Sequence, residues 1–185
     1  MTVSWLKHLQ LSYFSKPSAD RVLYRSIARH RPESIVELGL GRAERSVAMI
    51  ELSQRYQPGS EIKYAGLDLF EGRDQRSPGI TLKRAHRILG KLTSRVQLFP
   101  GNPHQSLARR GNLLLNTDLI VVDLQDSPEL LAQLWTPLAK LVHDHSRVYV
   151  SRWQLEKQRC QFELMDHAAL YELANTSSSQ QLRAA

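Results

Sequence analysis

The chain has 185 residues, 42% hydrophobic and 23% charged, with 25 Lys and Arg against 18 Asp and Glu for a formal net charge of +7. That composition fits one soluble globular domain able to bury a core, and no apolar run approaches the ~20 residues needed to cross a bilayer. A lone cysteine, Cys160, excludes an internal disulfide framework and a Cys-rich zinc site, and a reducing cytoplasm is the expected setting.

Residues 1–18 read as an N-terminal extension; MTVSWLKHLQLSYFSK has neither the continuous apolar stretch nor the small-residue cleavage site of a secretory signal. Pro17 and Ser18 start a periodic segment with Val22, Leu23, Ile27 and Ala28, which predicts a helix over about 19–29. Pro32 ends it, because the residue before a proline avoids helical geometry. SIVELGLG (34–41) is a short apolar run closed by glycines, the pattern of a parallel strand covered on both faces. RAERSVAMIELSQRY then carries Ala43, Val47, Ile50 and Leu52 on one helical stripe, which QPGS (57–60) terminates.

KYAGLDLF (63–70) predicts a second strand, Thr81–Leu92 a helix and VQLFPG (96–101) a third strand. After a polar loop and helix over 102–116, the apolar centre of DLIVVDLQ (118–125) marks a fourth, central strand. Ser127 as N-cap and Pro128 at the first helical position predict a helix over 127–142. RVYVS (147–151) is the fifth strand, and C-terminal to it only CQFELM (160–165) looks extended. The fold class is therefore α/β, a doubly wound and mostly parallel sheet with a shortened C-terminal strand region. The domain spans 19–175, and TSSSQQLRAA (176–185) has the composition of a frayed tail.

The sequence from Glu37 to Ala43 lies where the first strand meets its helix. Gly39 and Gly41 permit a tight turn and a close approach of a ligand to the backbone. A dinucleotide-binding turn would have a third glycine at position 44, beneath a pyrophosphate, but Glu44 stands there and would repel phosphates. Glu37 suits a ligand with a cationic end, and Asp68, ending the second strand, can accept hydrogen bonds from both hydroxyls of a ribose. Ribose and cationic amino-acid group together point to an adenosyl sulfonium.

On SIVELGLGRAERS, YAGLDLFEG, VQLFPGNPHQSL and TDLIVVDLQDSPELLAQLW, the chain resembles the class I S-adenosylmethionine-dependent methyltransferases, in particular a compact bacterial subgroup whose first motif reads E-x-G-x-G-x-[GAS]. The resemblance covers about residues 20–150. It implies a Rossmann-like fold in which Glu37, Gly39 and Gly41 surround the methionine end of the cofactor and Asp68 holds the ribose. Leu69 would lie against the adenine, with Asn102 near its amino group, and Asp123 would face the transferable methyl as the candidate catalytic residue. S-adenosyl-L-methionine is the implied cofactor and a small molecule the implied acceptor. The chain departs from the family at HDHS (143–146), where a Gly-rich turn is usual, and in VYVSRW, which lacks the second acidic residue of the metal-dependent members. Two alternatives stand beside this reading: a catalytically inactive cofactor-binding or interaction protein, and an RNA-directed methyltransferase.

The remaining chemical side chains have plainer readings. His143, Asp144 and His145 lack a third ligand at metal-site spacing, so no metal is expected. His104, Asp166 and His167 are isolated, and Cys160 reads as a small apolar residue. Trp153 would cover the end of the sheet. Residues 1–110 hold 19 Lys and Arg against 9 Asp and Glu, the remainder 6 against 9. Lys83, Arg87 and Lys91 nevertheless recur every four residues opposite an apolar stripe, without interleaved aromatics, as on a solvated helix face. Nucleic acid is an alternative acceptor and not the favoured one.

Overall fold

The computed structural model describes residues 18–74, 79–93, 95–124, 128–154 and 159–184. After a single 3₁₀ turn at Ser18–Asp20 the elements are α1 (Arg21–His30), β1 (Ser34–Leu38), α2 (Glu44–Tyr56), β2 (Lys63–Asp68), α3 (Leu82–Leu89), β3 (Val96–Pro100), α4 (Pro103–Arg110), β4 (Leu119–Val122), α5 (Pro128–Ala139), β5 (Arg147–Gln154), β6 (Arg159–Met165) and α6 (His167–Ala184). The strands form one six-stranded sheet in the order β3-β2-β1-β4-β5-β6. All pairings are parallel except β5 with β6, which run antiparallel from Val148 opposite Met165 to Gln154 opposite Arg159. The predicted extended stretch at 160–165 is this antiparallel edge strand. Most of residues 1–18 and the predicted cap Ser127 lie outside the described residues.

Alternate residues of each buried strand enter opposite layers, as the period of two requires. Ile35, Tyr64, Leu119, Val121, Tyr149 and Phe162 pack with Leu23, Ile27, Met49 and Leu52 of α1 and α2. Val36, Leu38, Leu67, Ile120 and Val148 pack with Leu107, Leu134, Leu138 and Leu170 of α4, α5 and α6. Both faces of the sheet are thereby covered, which is why these strands read as unbroken apolar runs. The backbone is helical over 167–184, where composition suggested a tail. Leu170 and Ala174, one turn apart, are buried in the second layer. Thr136 Oγ1 donates to the Ala174 carbonyl at 3.0 Å and Ser177 Oγ to the Ala132 carbonyl at 3.1 Å, so α5 and α6 are stitched together by hydroxyls.

Opposite ends of the sheet do different work. At the N-terminal end, Asp118 accepts from the Glu33 and Ser34 amides at 2.9 and 2.8 Å and from Ser34 Oγ at 2.7 Å, with His143 Nε2 at 3.1 Å. His143 therefore ties the turn before β5 to the starts of β1 and β4, and among the described residues no cluster could hold a metal. The C-terminal end contains the switch point, where β1 lies between β2 and β4 and successive connections run in opposite directions; ligands of open α/β sheets bind there.

Candidate functional site

β1 ends at Leu38, and the chain turns through Gly39 at φ +86° and Gly41 at φ +60° into α2. Gly39 has a second reason to lack a side chain: a Cβ there would stand 2.2 Å from the Asp123 carbonyl oxygen. The Asp123 amide donates to the Leu38 carbonyl at 2.8 Å and the Gly39 amide to the Leu67 carbonyl at 2.9 Å, so the ends of β1, β2 and β4 converge on this turn. Ala43 enters α2 at φ +64°, a left-handed conformation that costs a non-glycine residue about 1–2 kcal/mol.

Asp68 is buried at the end of β2. Its Oδ2 accepts from the Leu40 amide at 2.6 Å and its Oδ1 from the Phe70 amide at 2.8 Å, which fastens the glycine turn to the next strand. The same carboxylate is gripped by Arg73, whose Nε donates to Oδ1 at 2.9 Å and whose Nη2 bonds Oδ2. Gly79 makes room for that guanidinium, since a Cβ there would meet Arg73 Nη1 at 2.3 Å. Leu69 beside Asp68 is 41% exposed. The Gly101 amide donates to the Asp68 carbonyl at 2.9 Å, bringing the end of β3 to the same edge. There Asn102 caps α4: its Oδ1 accepts from the His104 amide at 2.9 Å and the Gln105 amide at 3.4 Å, with Pro103 at the first turn.

Glu37 and Asp123 are joined by a residue that sequence reading did not single out. Arg45, in the first turn of α2, donates from Nε to Glu37 Oε1 at 2.8 Å, from Nη1 to Asp123 Oδ2 at 2.7 Å and from Nη2 to the Gly39 carbonyl at 2.8 Å. Its guanidinium lies 5.0 Å from the centroid of the Phe162 ring. Asp20 Oδ1 is 3.6 Å from Arg45 Nη1, and that oxygen has no hydrogen-bond partner among the described residues. Fully buried Glu37 also accepts from Ser46 Oγ and Tyr64 Oη, both at 2.6 Å, and Asp123 Oδ1 accepts from Ser151 Oγ at 2.7 Å.

The electrostatics arise from this geometry. Burial would push Arg45 toward its neutral form, but Glu37, Asp123 and Asp20 outweigh it and hold the guanidinium charged. Burial raises the Asp20 carboxyl to about 6; Arg45 opposes the rise, and Glu37 and Asp123 add to it. Burial, and then the Glu37 carboxylate, push the Tyr64 phenol well above its ordinary range. Three carboxylates thus surround one cation.

The structure brings Glu37, Gly39, Gly41, Asp68, Leu69, Asn102 and Asp123 to one end of the sheet. Arg45 was legible as an anomaly: it precedes the buried Met49 and Leu52 by four and seven residues, so a charge sits on the apolar face of its helix. Its partners were not legible. Asp20, Asp123 and Phe162 reach it from segments remote in sequence. Trp153 does not cover the end of the sheet but is 57% exposed.

No protein-family model matches the sequence, and no curated protein matches it. Solved structures share the fold, which is that of the S-adenosylmethionine-dependent methyltransferases. An SAH-bound O-methyltransferase from Bacillus cereus superposes with a TM-score of 0.56 at 12% identity, covering 92% of this chain and 74% of that one. An SAH-bound methyltransferase from Podospora anserina gives 0.53 at 15% identity, with 96% and 78% covered. A SAM-dependent methyltransferase from Agrobacterium tumefaciens gives 0.52 at 7% identity; the match covers 85% of this chain and 50% of that one, so the chain spans half the length of that neighbour.

Proposed function

We propose that this chain binds S-adenosyl-L-methionine at the C-terminal end of β1, β2 and β4 and transfers its methyl group to a small-molecule acceptor. The observation that carries this reading is the convergence of the glycine turn, Asp68 and Asp123 on the switch point of a methyltransferase fold. Asp68 would hold the ribose, the exposed Leu69 would lie against the adenine with Asn102 nearby, Glu37, Gly39 and Gly41 would border the methionine end, and Asp123 would mark the acceptor side. When bound, the cofactor supplies an electrophilic methyl on a sulfonium, and positioning accounts for much of the rate of such a displacement.

The donor set fits one half of this ligand better than the other. Asp68 would accept from two ribose hydroxyls once Arg73 leaves it. Glu37 and the Gly39 carbonyl, the acceptors for an ammonium group, already hold Arg45. Asp123, the candidate catalytic residue, is likewise held by Arg45 and Ser151, and this favours a second reading, a catalytically inactive cofactor-binding or interaction protein of methyltransferase fold.

Calorimetric titration with S-adenosylmethionine and S-adenosylhomocysteine tests binding. The proposal expects binding by the wild type and its loss in Asp68→Ala; no binding by the folded wild type at about 1 mM ligand would refute it. Transfer from radiolabelled cofactor into cell extract, with and without nuclease, then decides between the readings. Label in a nuclease-resistant small molecule supports the first, nuclease-sensitive label an RNA acceptor, and no label the second.

A further inference from the structure

We propose that Arg45 is a built-in replacement for the ammonium group of the ligand, so that this site recognises the nucleoside half of adenosyl compounds and discriminates little for their amino-acid half. The inference rests on the adenosyl reading of the site and adds its selectivity. A ligand ammonium would need the acceptors that line the turn beyond β1, and Arg45 takes both: Glu37 Oε1 at 2.8 Å and the Gly39 carbonyl at 2.8 Å. The other three carboxylate oxygens of Glu37 and Asp123 are spoken for as well. Glu37 Oε2 accepts from Ser46 and Tyr64, Asp123 Oδ2 from Arg45 and Asp123 Oδ1 from Ser151.

Arg45 and Arg73 differ in the carboxylates each serves. Arg45 is fastened by Glu37, Asp123 and the Gly39 carbonyl, with Asp20 and the Phe162 ring beside it, and its side chain is 11% exposed. Arg73, whose side chain is 15% exposed, grips the Asp68 carboxylate and approaches the Gly41 carbonyl at a long 3.5 Å. Moving Arg45 would remove the guanidinium that Glu37, Asp123 and Asp20 share, whereas moving Arg73 leaves Asp68 with its bonds from the Leu40 and Phe70 amides. An entering nucleoside therefore displaces Arg73 from Asp68, and Arg45 stays. The ribose hydroxyls gain Asp68. A methionine ammonium finds its acceptors filled by a cation and gains nothing there.

The test compares S-adenosylhomocysteine with 5′-methylthioadenosine, which keeps the nucleoside and thioether but has no amino acid, by calorimetry on the wild type, Arg73→Ala and Arg45→Gln. Charge-assisted hydrogen bonds to an ammonium would favour S-adenosylhomocysteine by about tenfold or more. The proposal expects the two ligands to bind the wild type within about tenfold of each other, and Arg73→Ala to tighten both by about fivefold or more, as removal of a competing state requires. In Arg45→Gln, folded by circular dichroism, the preference for S-adenosylhomocysteine should emerge. A wild type that prefers S-adenosylhomocysteine by more than about tenfold overturns the inference and leaves the adenosyl reading standing. Unchanged affinities in Arg73→Ala overturn the displacement. If neither ligand binds the wild type or Arg73→Ala at about 1 mM, the adenosyl reading itself falls.

Discussion

Replacing Gly39 with alanine probes the joint on which the whole site depends, and Gly41→Ala supplies its control. Both glycines have positive φ, +86° and +60°, so each substitution carries the left-handed penalty of an L side chain, about 1–2 kcal/mol. Only Gly39 adds a collision. Its Cβ would lie 2.2 Å from the Asp123 carbonyl oxygen, while that of Gly41 has nothing within 4 Å. The obstructing atom is backbone, fixed by the Asp123 amide bond to Leu38, so it cannot rotate away as a side-chain tip would. Separating β1 from β4 enough to relieve the overlap adds about 2 kcal/mol, in the range found for overpacked interiors. Gly39→Ala should therefore lose about 3–4 kcal/mol and Gly41→Ala about 1–2 kcal/mol in urea denaturation. For a chain of this size the corresponding drops in Tm are roughly 10 °C and about 4 °C. Equal losses, within about 0.5 kcal/mol, would refute the claim that close approach of β4 selects glycine at position 39.

Two further outcomes are expected of the same network. The Asp20 carboxyl is raised from 3.8 to about 6, so the native state binds a proton that the unfolded chain has already released; stability should fall by up to about 3 kcal/mol as pH rises from about 4 to about 6, then level off. The groups facing it are Arg45, Glu37, Asp123 and Tyr24. The difference in Tm between wild type and Asp20→Asn, followed across this range, isolates that slope, and parallel profiles would refute it. Asp118, held below its ordinary value by its bonds from Ser34, Glu33 and His143 despite partial burial, gives the opposite slope in more acidic solution. Asn102→Ala should cost about 1 kcal/mol through loss of the α4 cap, and Asn102→Asp should restore it. A weaker adenosyl affinity in both variants, measured by calorimetry, would show that the side chain also meets the ligand.

Most of the architecture was legible because its causes are local. Apolar runs bounded by proline and glycine marked β1 and β2, an unbroken apolar centre marked β4, and helical spacing of apolar residues marked α2 and α3. Boundaries shortened where the turn chemistry begins: β1 ends at Leu38, not Gly41, because the glycines leave the strand for positive φ. The helix continues through 176–184, where composition suggested a tail, and composition carries no information about the bond Ser177 makes to the Ala132 carbonyl.

At the site the division is sharper. Sequence by itself determined where Glu37, Gly39 and Gly41 lie, because a strand that runs into a glycine turn and a helix places them within a few residues of one another, and it put Asp68 at the end of the next strand. Only the tertiary structure decided what those acids hold. Arg45 and Asp123 are separated by 78 residues along the chain and meet at 2.7 Å, and Asp20 and Phe162 arrive from the start and the end of the described domain. A buried carboxylate must find a counter-charge or hydrogen bonds, but nothing in local patterning says whether a ligand or the chain itself will supply them. Here the chain supplies both, through Arg45 and Arg73, and the link from Arg45 to Asp123 exists only once strands β1 and β4 stand side by side.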